Sequence, residues 1–237
     1  MSRRRWLLVA LAIAVLGLVG AAVGLAPGGT APPPSRDAVR LGPAVGEPVA
    51  GYLAGLPARL PAVGAGPVPA LVQFRAELPA DRVASVLAGT GARAVRAVFR
   101  VPLPRVQTAL RFEGLTPVDL ADPAAALGRQ LAVAQDSAQR SAAAQGRRLA
   151  GRQGELARYE ARALAGRCGC VLAVLVVADR AGLTGLAGHP EVRAVDAAPA
   201  GTEVGGVALV PLLPAQTALA GPVPDDGPIP VSSGAPG

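Results

Sequence analysis

The sequence has few of the residue types on which most catalytic sites and nucleic-acid surfaces depend. His189 is the only histidine, Lys and Asn are absent, and aromatic residues make up 3% of the 237 positions. One histidine with two cysteines falls short of a usual zinc ligand set, and no Gly-x-Ser-x-Gly elbow is present. Scattered aromatics do not provide the stacking surface that nucleic acid requires. The sequence therefore predicts a binding protein, not an enzyme, with no metal, cofactor or nucleic acid.

Two segments rich in proline and glycine flank the predicted folded part. The chain has 30 Gly and 24 Pro, a share at which unstructured segments are expected. Such segments cannot bury enough apolar surface to offset their ordering entropy. We therefore expect residues 27–69 to be an extended linker and residues 201–237 a tail, which includes Asp225-Asp226. The folded domain is predicted at residues 70–200.

One part of the linker departs from this composition. After Glu47-Pro48, apolar residues recur at i, i+3, i+4 and i+7, the spacing of one helical face. These residues are Val49, Tyr52, Leu53 and Leu56. Pro57 ends the pattern, which predicts a short amphipathic helix that packs on the folded domain. A role at the membrane surface is the alternative.

The N-terminus predicts a membrane anchor. Ser2-Arg3-Arg4-Arg5 precedes an uncharged apolar segment, Trp6 to Ala26, which as a helix is roughly 31 Å long and matches a bilayer core of about 30 Å. The positive-inside rule keeps the arginines in the cytoplasm and the rest of the chain outside it. We therefore predict a single-pass protein of the cell membrane with an extracytoplasmic C-terminal domain. The alternative is a signal peptide cleaved near Ala26, which Pro27 disfavours.

Small residues within this apolar segment form a pattern known from contacts between membrane helices. Gly20 with Gly24, and Gly17 with Ala21, form small-xxx-small pairs, which allow two helices to approach closely in a bilayer. In an Ala- and Gly-rich segment such pairs arise by chance, which is the favoured interpretation here. A homodimer formed through this face is the alternative.

The two cysteines stand two positions apart, in Cys168-Gly169-Cys170. Outside the cytoplasm such thiols oxidise, although residues two apart on a regular strand are about 6.6 Å apart, near the limit for a disulfide. Because Gly169 relaxes the backbone, an intramolecular disulfide is predicted. An intermolecular bridge and a thiol-redox activity are the alternatives.

Two segments predict the same order of strand, helix and strand. In the first, Val72, Phe74, Ala76 and Leu78 alternate with polar and apolar neighbours as in a half-buried strand, a helix follows Pro79, and residues 93–101 alternate again. In the second, residues 170–177 form an apolar strand, Asp179 caps a helix, and residues 192–195 close the unit. Two βαβ halves predict a ferredoxin-like α+β sandwich, with four antiparallel strands covered on one face by two helices.

Residues 102–167 form a long insertion between the two halves. Residues 105–113 alternate in a way that predicts a strand paired with the preceding one, and Asp122-Pro123 is a helix start. The segment from there to Arg167 is rich in residues that favour helices, which predicts either one long helix or a hairpin bent at a glycine. Its arginines indicate either a solvated face or a surface for an anionic partner. They are Arg140, Arg147, Arg148, Arg152, Arg158 and Arg162.

The second half also resembles a known family. Asp179-x3-Leu183-x2-Leu186-x2-His189-Pro190-x-Val192-x2-Val195-Asp196 is similar, over about 25 residues, to the inhibitor-type propeptide domains of subtilisin-like proteases. The resemblance implies a ferredoxin-like sheet that docks on a protease, with the segment after the last strand in the substrate cleft. That segment is Asp196, Ala197, Ala198 and Pro199. No peptidase domain follows here, so the protease is expected to be bound in trans.

The sequence therefore predicts a membrane-anchored extracytoplasmic protein-interaction module, similar to a protease inhibitor or a chaperone. The alternative is a structural envelope scaffold whose Arg- and Ala-rich helix binds a partner or an anionic polymer. A thiol-redox protein that uses Cys168 and Cys170 is the third hypothesis.

Overall fold

The structure is a computed structural model that describes residues 38–62, 66–116 and 123–230. These residues belong to one compact unit, Ser35–Gly237. In chain order the elements are β1 (Val39–Leu41), α1 (Val49–Gly55), a 3-10 helix (Leu56–Arg59), β2 (Val68–Leu78), α2 (Ala80–Leu87), β3 (Arg93–Phe99), β4 (Arg111–Gly114), α3 (Pro123–Arg148), α4 (Gly151–Ala165), β5 (Val171–Ala178), α5 (Arg180–Ala187), β6 (Val192–Ala197), a second 3-10 helix (Val204–Gly206) and β7 (Val207–Leu209).

The centre of the protein is a five-stranded sheet in the order β4-β3-β5-β2-β6. All neighbouring strands in it run antiparallel, so the fold is a mixed α+β one. The two predicted units are present as β2-α2-β3 and β5-α5-β6. Asp179 caps α5 as predicted, because its Oδ1 accepts a hydrogen bond from the backbone N–H of Gly182 at 2.9 Å. Of the strand predicted at residues 105–113, only the end is a strand, and it pairs with β3 as expected.

Four helices cover one face of the sheet. Val72 and Phe74 of β2 point to this face and pack with Leu183 and Leu186 of α5 and with Leu131 of α3. All five side chains are buried. Since burying a large apolar side chain contributes about 1.5–3 kcal/mol, this layer is the main core of the protein.

The opposite face is also covered, by a second sheet of two short parallel strands, β1 and β7. Leu41 of β1 and Val207 of β7 pack on Leu71, Leu172 and Leu175 of the large sheet, and all are buried. The prediction of a half-buried β2 is therefore wrong for residues 68–74, which are buried on both faces, whereas Arg75 and Ala76 near the end of the strand are exposed.

The covering strands come from segments that the sequence predicted to be extended. Residues 38–62 of the predicted linker and residues 201–230 of the predicted tail pack against the sheet, so the folded domain extends beyond both predicted boundaries. The short amphipathic helix predicted in the linker is confirmed as α1, with Val49 and Tyr52 buried. These segments fold because the domain supplies the apolar surface that they lack.

The long insertion is a helical hairpin, one of the two predicted alternatives. α3 ends at Arg148, and α4 begins at Gly151 after a two-residue connection. Gly151 has a φ of 57°, a left-handed conformation that glycine adopts readily and other residues rarely do. The bend therefore lies at a glycine, as the predicted hairpin required.

The predicted membrane segment and its packing residues lie outside the described residues. This applies to Trp6–Ala26 and to Gly17, Gly20, Ala21 and Gly24. Within residues 38–62, 66–116 and 123–230, no helix is long and apolar enough to cross a membrane. The anchor stays a prediction.

Candidate interaction surface

A buried ion pair holds the helical hairpin on the sheet. The carboxylate of Glu160 on α4 accepts a hydrogen bond from Nη2 of Arg111 on β4 at 2.5 Å and one from the backbone N–H of Ala109 at 2.8 Å. The guanidinium of Arg111 also donates to Oε1 of Gln145 and Oγ of Ser141 on α3. Both charged side chains are almost fully buried. One arginine thus connects an edge strand with both helices, which fixes the position of the hairpin.

The two helices pack closely because their facing residues are small. A Cβ at Gly146 on α3 would lie 2.7 Å from Cγ of Arg158 on α4, and one at Gly154 would lie 2.2 Å from the backbone oxygen of Leu149 in the connection between the helices. The buried alanines between the helices continue this contact toward the sheet. They are Ala134, Ala138, Ala142, Ala157 and Ala161. The Ala-rich composition of the insertion is thus explained by close helix packing.

The outer side of the hairpin carries exposed arginines. Arg129, Arg140 and Arg147 stand 11 and 7 positions apart on α3, spacings that keep them within about 20° of one line along a helix. All three are exposed, and no acidic side chain of the described residues pairs with them. They span about 27 Å of helix at 1.5 Å per residue. This row is a surface of positive charge that no acidic side chain of residues 38–62, 66–116 and 123–230 neutralises.

The same surface continues at the hairpin bend and on α4. Arg148, Arg158 and Arg162 are exposed there as well, although Arg158 donates a hydrogen bond from Nη1 to the backbone oxygen of Gly146 at 2.8 Å. Arg152 differs from the others, since it lies 3.5 Å from a carboxylate oxygen of Asp225. The structure thus brings the six arginines marked in the sequence onto one hairpin, and most of them have no acidic partner within the part of the chain that the structure describes.

Asp196, predicted to contact a protease, lies instead in a buried polar network. Its side chain is 1% exposed and accepts hydrogen bonds from the backbone N–H of Gly42 at 2.7 Å and from the Tyr52 hydroxyl at 3.1 Å. Arg59 donates to both carboxylate oxygens, at 3.0 and 3.2 Å. Burial, with the charge of Asp196 as a second cause, raises the pKa of the Tyr52 hydroxyl, which therefore stays protonated as a donor. Asp196 thereby connects residues 38–62, which we call the N-terminal cover, to β6.

The neighbours of Asp196 are buried too. Ala197 and Ala198 have 4% and 1% of their surface exposed, and Pro199 alone among the four predicted residues is exposed. This segment is part of the folded domain, because Asp196 satisfies two buried donors. In this conformation the first three residues cannot enter a protease cleft.

Cys168 and Cys170 are joined by the predicted intramolecular disulfide. Their Cα atoms are 5.3 Å apart, closer than on a regular strand, as the flexibility of Gly169 allows. Cys170 is buried and Cys168 is partly exposed. The disulfide lies where α4 connects to β5, next to Gln135 of α3, whose side-chain nitrogen is 3.9 Å from Sγ of Cys168. It therefore closes the connection from the hairpin to the sheet.

His189 has the structural position that its Pro190 neighbour suggests. Its ring Nδ1 accepts a hydrogen bond from the backbone N–H of Glu191 at 3.3 Å, within the turn from α5 to β6. Among the described residues, no group of three or more His, Cys, Asp or Glu side chains is arranged to hold a metal ion.

The end of the tail docks on the domain through two acidic residues. We call residues 223–227 the C-terminal strap. Asp226 pairs with Arg105, and Asp225 accepts a hydrogen bond from the backbone N–H of Gln107 at 3.0 Å and contacts Arg152. These carboxylates therefore hold part of the predicted tail on the folded domain. The sequence carries one sign of this role, since Asp225-Asp226 is the only adjacent pair of acidic residues in it.

Comparisons with known proteins identify no relative of this chain. No family model, curated protein or solved structure matches it. The resemblance to protease propeptides over Asp179 to Asp196 therefore stays a prediction made from those residues.

Proposed function

We propose that this protein is an extracytoplasmic interaction module, anchored to the membrane by Trp6 to Ala26, that binds an anionic protein partner through its helical hairpin. The observation that carries the proposal is the row of Arg129, Arg140 and Arg147, exposed and without acidic partners among the described residues. In contrast, the buried carboxylates Glu160 and Asp196 hold the fold together. The proposed activity is binding rather than catalysis.

The charge balance of the hairpin supports this function. Residues 123–167 contain eight arginines and three acidic residues, a net charge of +5 out of +7 for the whole chain. Charge of one sign concentrated on one surface attracts partners of opposite charge and speeds their association. Exposed arginines also donate several hydrogen bonds in a planar arrangement that fits carboxylates. An acidic protein surface is therefore the partner chemistry that suits this hairpin.

The fold we propose is a ferredoxin-like sandwich with the hairpin as its insertion. The order β6-β2-β5-β3, with α2 and α5 on one face, supports this assignment, and β4 is an added edge strand. The same arrangement favours the protease-inhibitor hypothesis as a second candidate. An inhibitor of that type would dock through the open face of its sheet, however, and here β1 and β7 lie on that face. Inhibition would require these strands to move, whereas the hairpin is already exposed.

The hairpin proposal is tested by matched pairs of arginine substitutions in the full chain. Arg140→Gln/Arg147→Gln removes two charges from the hairpin, and Arg40→Gln/Arg93→Gln removes two exposed charges elsewhere. With polyglutamate as the acidic probe, at about 50 mM salt, we expect the hairpin variant to bind about 2- to 30-fold more weakly, since each exposed charge contact contributes about 0.2–1 kcal/mol. An equal loss in the control variant would contradict a specific hairpin surface.

The inhibitor hypothesis has its own test. The full chain is titrated into a subtilisin-like protease, and the inhibition constant is compared with that of the Arg140→Gln/Arg147→Gln variant. Inhibition that is unaffected by these substitutions would favour the sheet over the hairpin as the binding surface. The absence of inhibition at high micromolar concentration would leave the hairpin proposal standing alone.

A further inference from the structure

The C-terminal strap presents two adjacent carboxylates to basic and backbone donors. Asp226 accepts two hydrogen bonds from one guanidinium, from Nε of Arg105 at 2.8 Å and from its Nη2. Asp225 accepts from the backbone N–H of Gln107 at 3.0 Å and lies 3.5 Å from Nη2 of Arg152. The two-point contact with one planar guanidinium is the strongest geometry for carboxylate recognition. Each carboxylate is therefore bound by its own arginine.

Main-chain hydrogen bonds fix the backbone of the strap in the same place. Nε2 of Gln107 donates to the backbone oxygen of Val223 at 2.7 Å, and Nη2 of Arg152 donates to that of Gly227 at 2.8 Å. The N–H of Gly227 donates to the backbone oxygen of Arg105 at 2.7 Å. These bonds do not depend on the side chains of the strap, so a segment of another protein can make them if the position of Gly227 is free of a side chain.

The position after the two carboxylates accepts only glycine. Gly227 is the one buried residue of the strap, and a Cβ there would lie 2.4 Å from the backbone oxygen of Pro104 and 2.9 Å from that of Arg105. Both atoms belong to the backbone and cannot turn aside as a side chain does. Arg105, Gln107 and Arg152 together thus recognise an Asp-Asp-Gly segment.

The strap is held in a way that allows it to leave. The side chains of Arg105 and Asp226 are 63% and 61% exposed, and exposed ion pairs contribute little to stability because solvent and salt screen them. The hydrogen bond from Arg105 lowers the pKa of the Asp226 carboxyl, which keeps that carboxyl ionised at neutral pH. An acidic segment from another protein would meet the same donors.

We propose that Arg105, Gln107 and Arg152 form a binding site for an acidic segment of a partner protein, with two adjacent carboxylates followed by glycine. The strap is the intramolecular ligand of this site, and the partner's segment displaces it. This inference rests on the proposed function, because it names the chemistry of the anionic partner. It adds a second contact next to the hairpin, since Arg152 lies in the first turn of α4.

The first test releases the strap in the full chain. Asp225→Asn/Asp226→Asn keeps the shape of both side chains and removes their charge. The probe is a fluorescent peptide with the sequence of residues 221–230, followed by anisotropy at about 50 mM salt. We expect the variant to bind the probe about 2- to 30-fold more tightly than the natural chain, since the internal competitor is weakened by the loss of two exposed ion pairs.

Control variants define what counts against the proposal. Asp81→Asn/Glu203→Gln removes two exposed carboxylates that have no ion pair among the described residues, and it should leave the peptide affinity unchanged. Equal affinity of the natural chain and the strap variant would overturn the inference. So would undiminished binding of a peptide with Asn in place of both Asp residues.

A second set of variants separates this site from the hairpin row. In the strap variant, Arg105→Gln should weaken peptide binding about 1.4- to 5-fold, the effect of one exposed ion pair, while Arg140→Gln/Arg147→Gln should leave it unchanged. If the natural chain does not bind polyglutamate but the strap variant binds the peptide, only the hairpin proposal is rejected. If the natural chain binds polyglutamate but the strap variant does not bind the peptide, only this site is rejected. A natural chain that forms a dimer in sedimentation, lost on Asp225→Asn/Asp226→Asn, would assign the site to a second copy and overturn the partner-protein assignment.

Discussion

Replacement of Asp196 by Ala should destabilise the protein strongly. Its carboxylate is the acceptor for two buried donors, the Gly42 N–H and the Tyr52 hydroxyl, and for the partly exposed Arg59. Leaving a buried donor without an acceptor costs about 1–3 kcal/mol. Two such donors give an expected loss of about 2–6 kcal/mol, and Arg59 adds little because water reaches its guanidinium. Since domains are stable by about 5–15 kcal/mol, the loss is a large share of the total.

Urea unfolding measures this loss as a shift of the midpoint at constant slope. Hydrogen exchange gives a local measure. On Asp196→Ala the amide of Gly42 should lose its protection, while amides in β5 should still exchange only through global unfolding, at the lower stability of the variant. Asp196→Asn, which keeps one amide oxygen as an acceptor, should fall between the natural chain and the Ala variant. Ala197→Ser, a change at the next position, serves as a control for polarity in this strand.

The pairing of Asp196 with Tyr52 supplies a sharper check. In a double-mutant cycle with Tyr52→Phe, residues in one hydrogen-bond network should show a coupling energy of about 0.5–3 kcal/mol. A loss below about 1 kcal/mol for Asp196→Ala, with no coupling to Tyr52→Phe, would refute the argument that this carboxylate holds the N-terminal cover in place.

Three further predictions follow from the hairpin and the strap. Gly154→Ala should cost about 1–3 kcal/mol in urea unfolding, because its Cβ would lie 2.2 Å from a backbone oxygen, whereas Gly128→Ala, whose nearest neighbour is 3.9 Å away, should be neutral or stabilising. Arg111→Met should cost about 3–5 kcal/mol by leaving the buried charge of Glu160 without its ionic partner, and adding Glu160→Leu should recover most of that loss. Because the pKa of Asp226 is lowered in the folded state, the strap should be fully docked above its unfolded-state value of 3.8 and should detach as pH falls through the lower folded-state value, as followed by NMR shifts of the strap amides.

The strands and helices of the central sheet were accessible from the sequence because their patterns are local. The alternation in β2, the cap at Asp179 and the apolar run of β5 each fall within a few neighbouring residues. The hairpin was one of two predicted alternatives, since the glycines mark a bend without showing which of them bends.

The two strands that cover the second face of the sheet could not be predicted in this way. β1 and β7 are three residues each and lie in segments whose composition is typical of linkers. Their pairing joins residues more than 160 positions apart, and no local pattern reports such a contact. The role of Asp196 was hidden for the same reason, since its partners Tyr52 and Gly42 lie in the predicted linker.

The parallel pairing of β1 with β7 has a mechanical consequence. Val39, Arg40 and Leu41 are the first strand residues after the N-terminal segment, and they pair with Val207, Ala208 and Leu209. Tension applied through the N-terminus therefore reaches this three-residue ladder before it reaches the five-stranded sheet. If the ladder yields first, a pulled molecule exposes the face of the sheet that lies beneath it while the helices and main core stay folded. Force, rather than a ligand, would then decide when that apolar face becomes available.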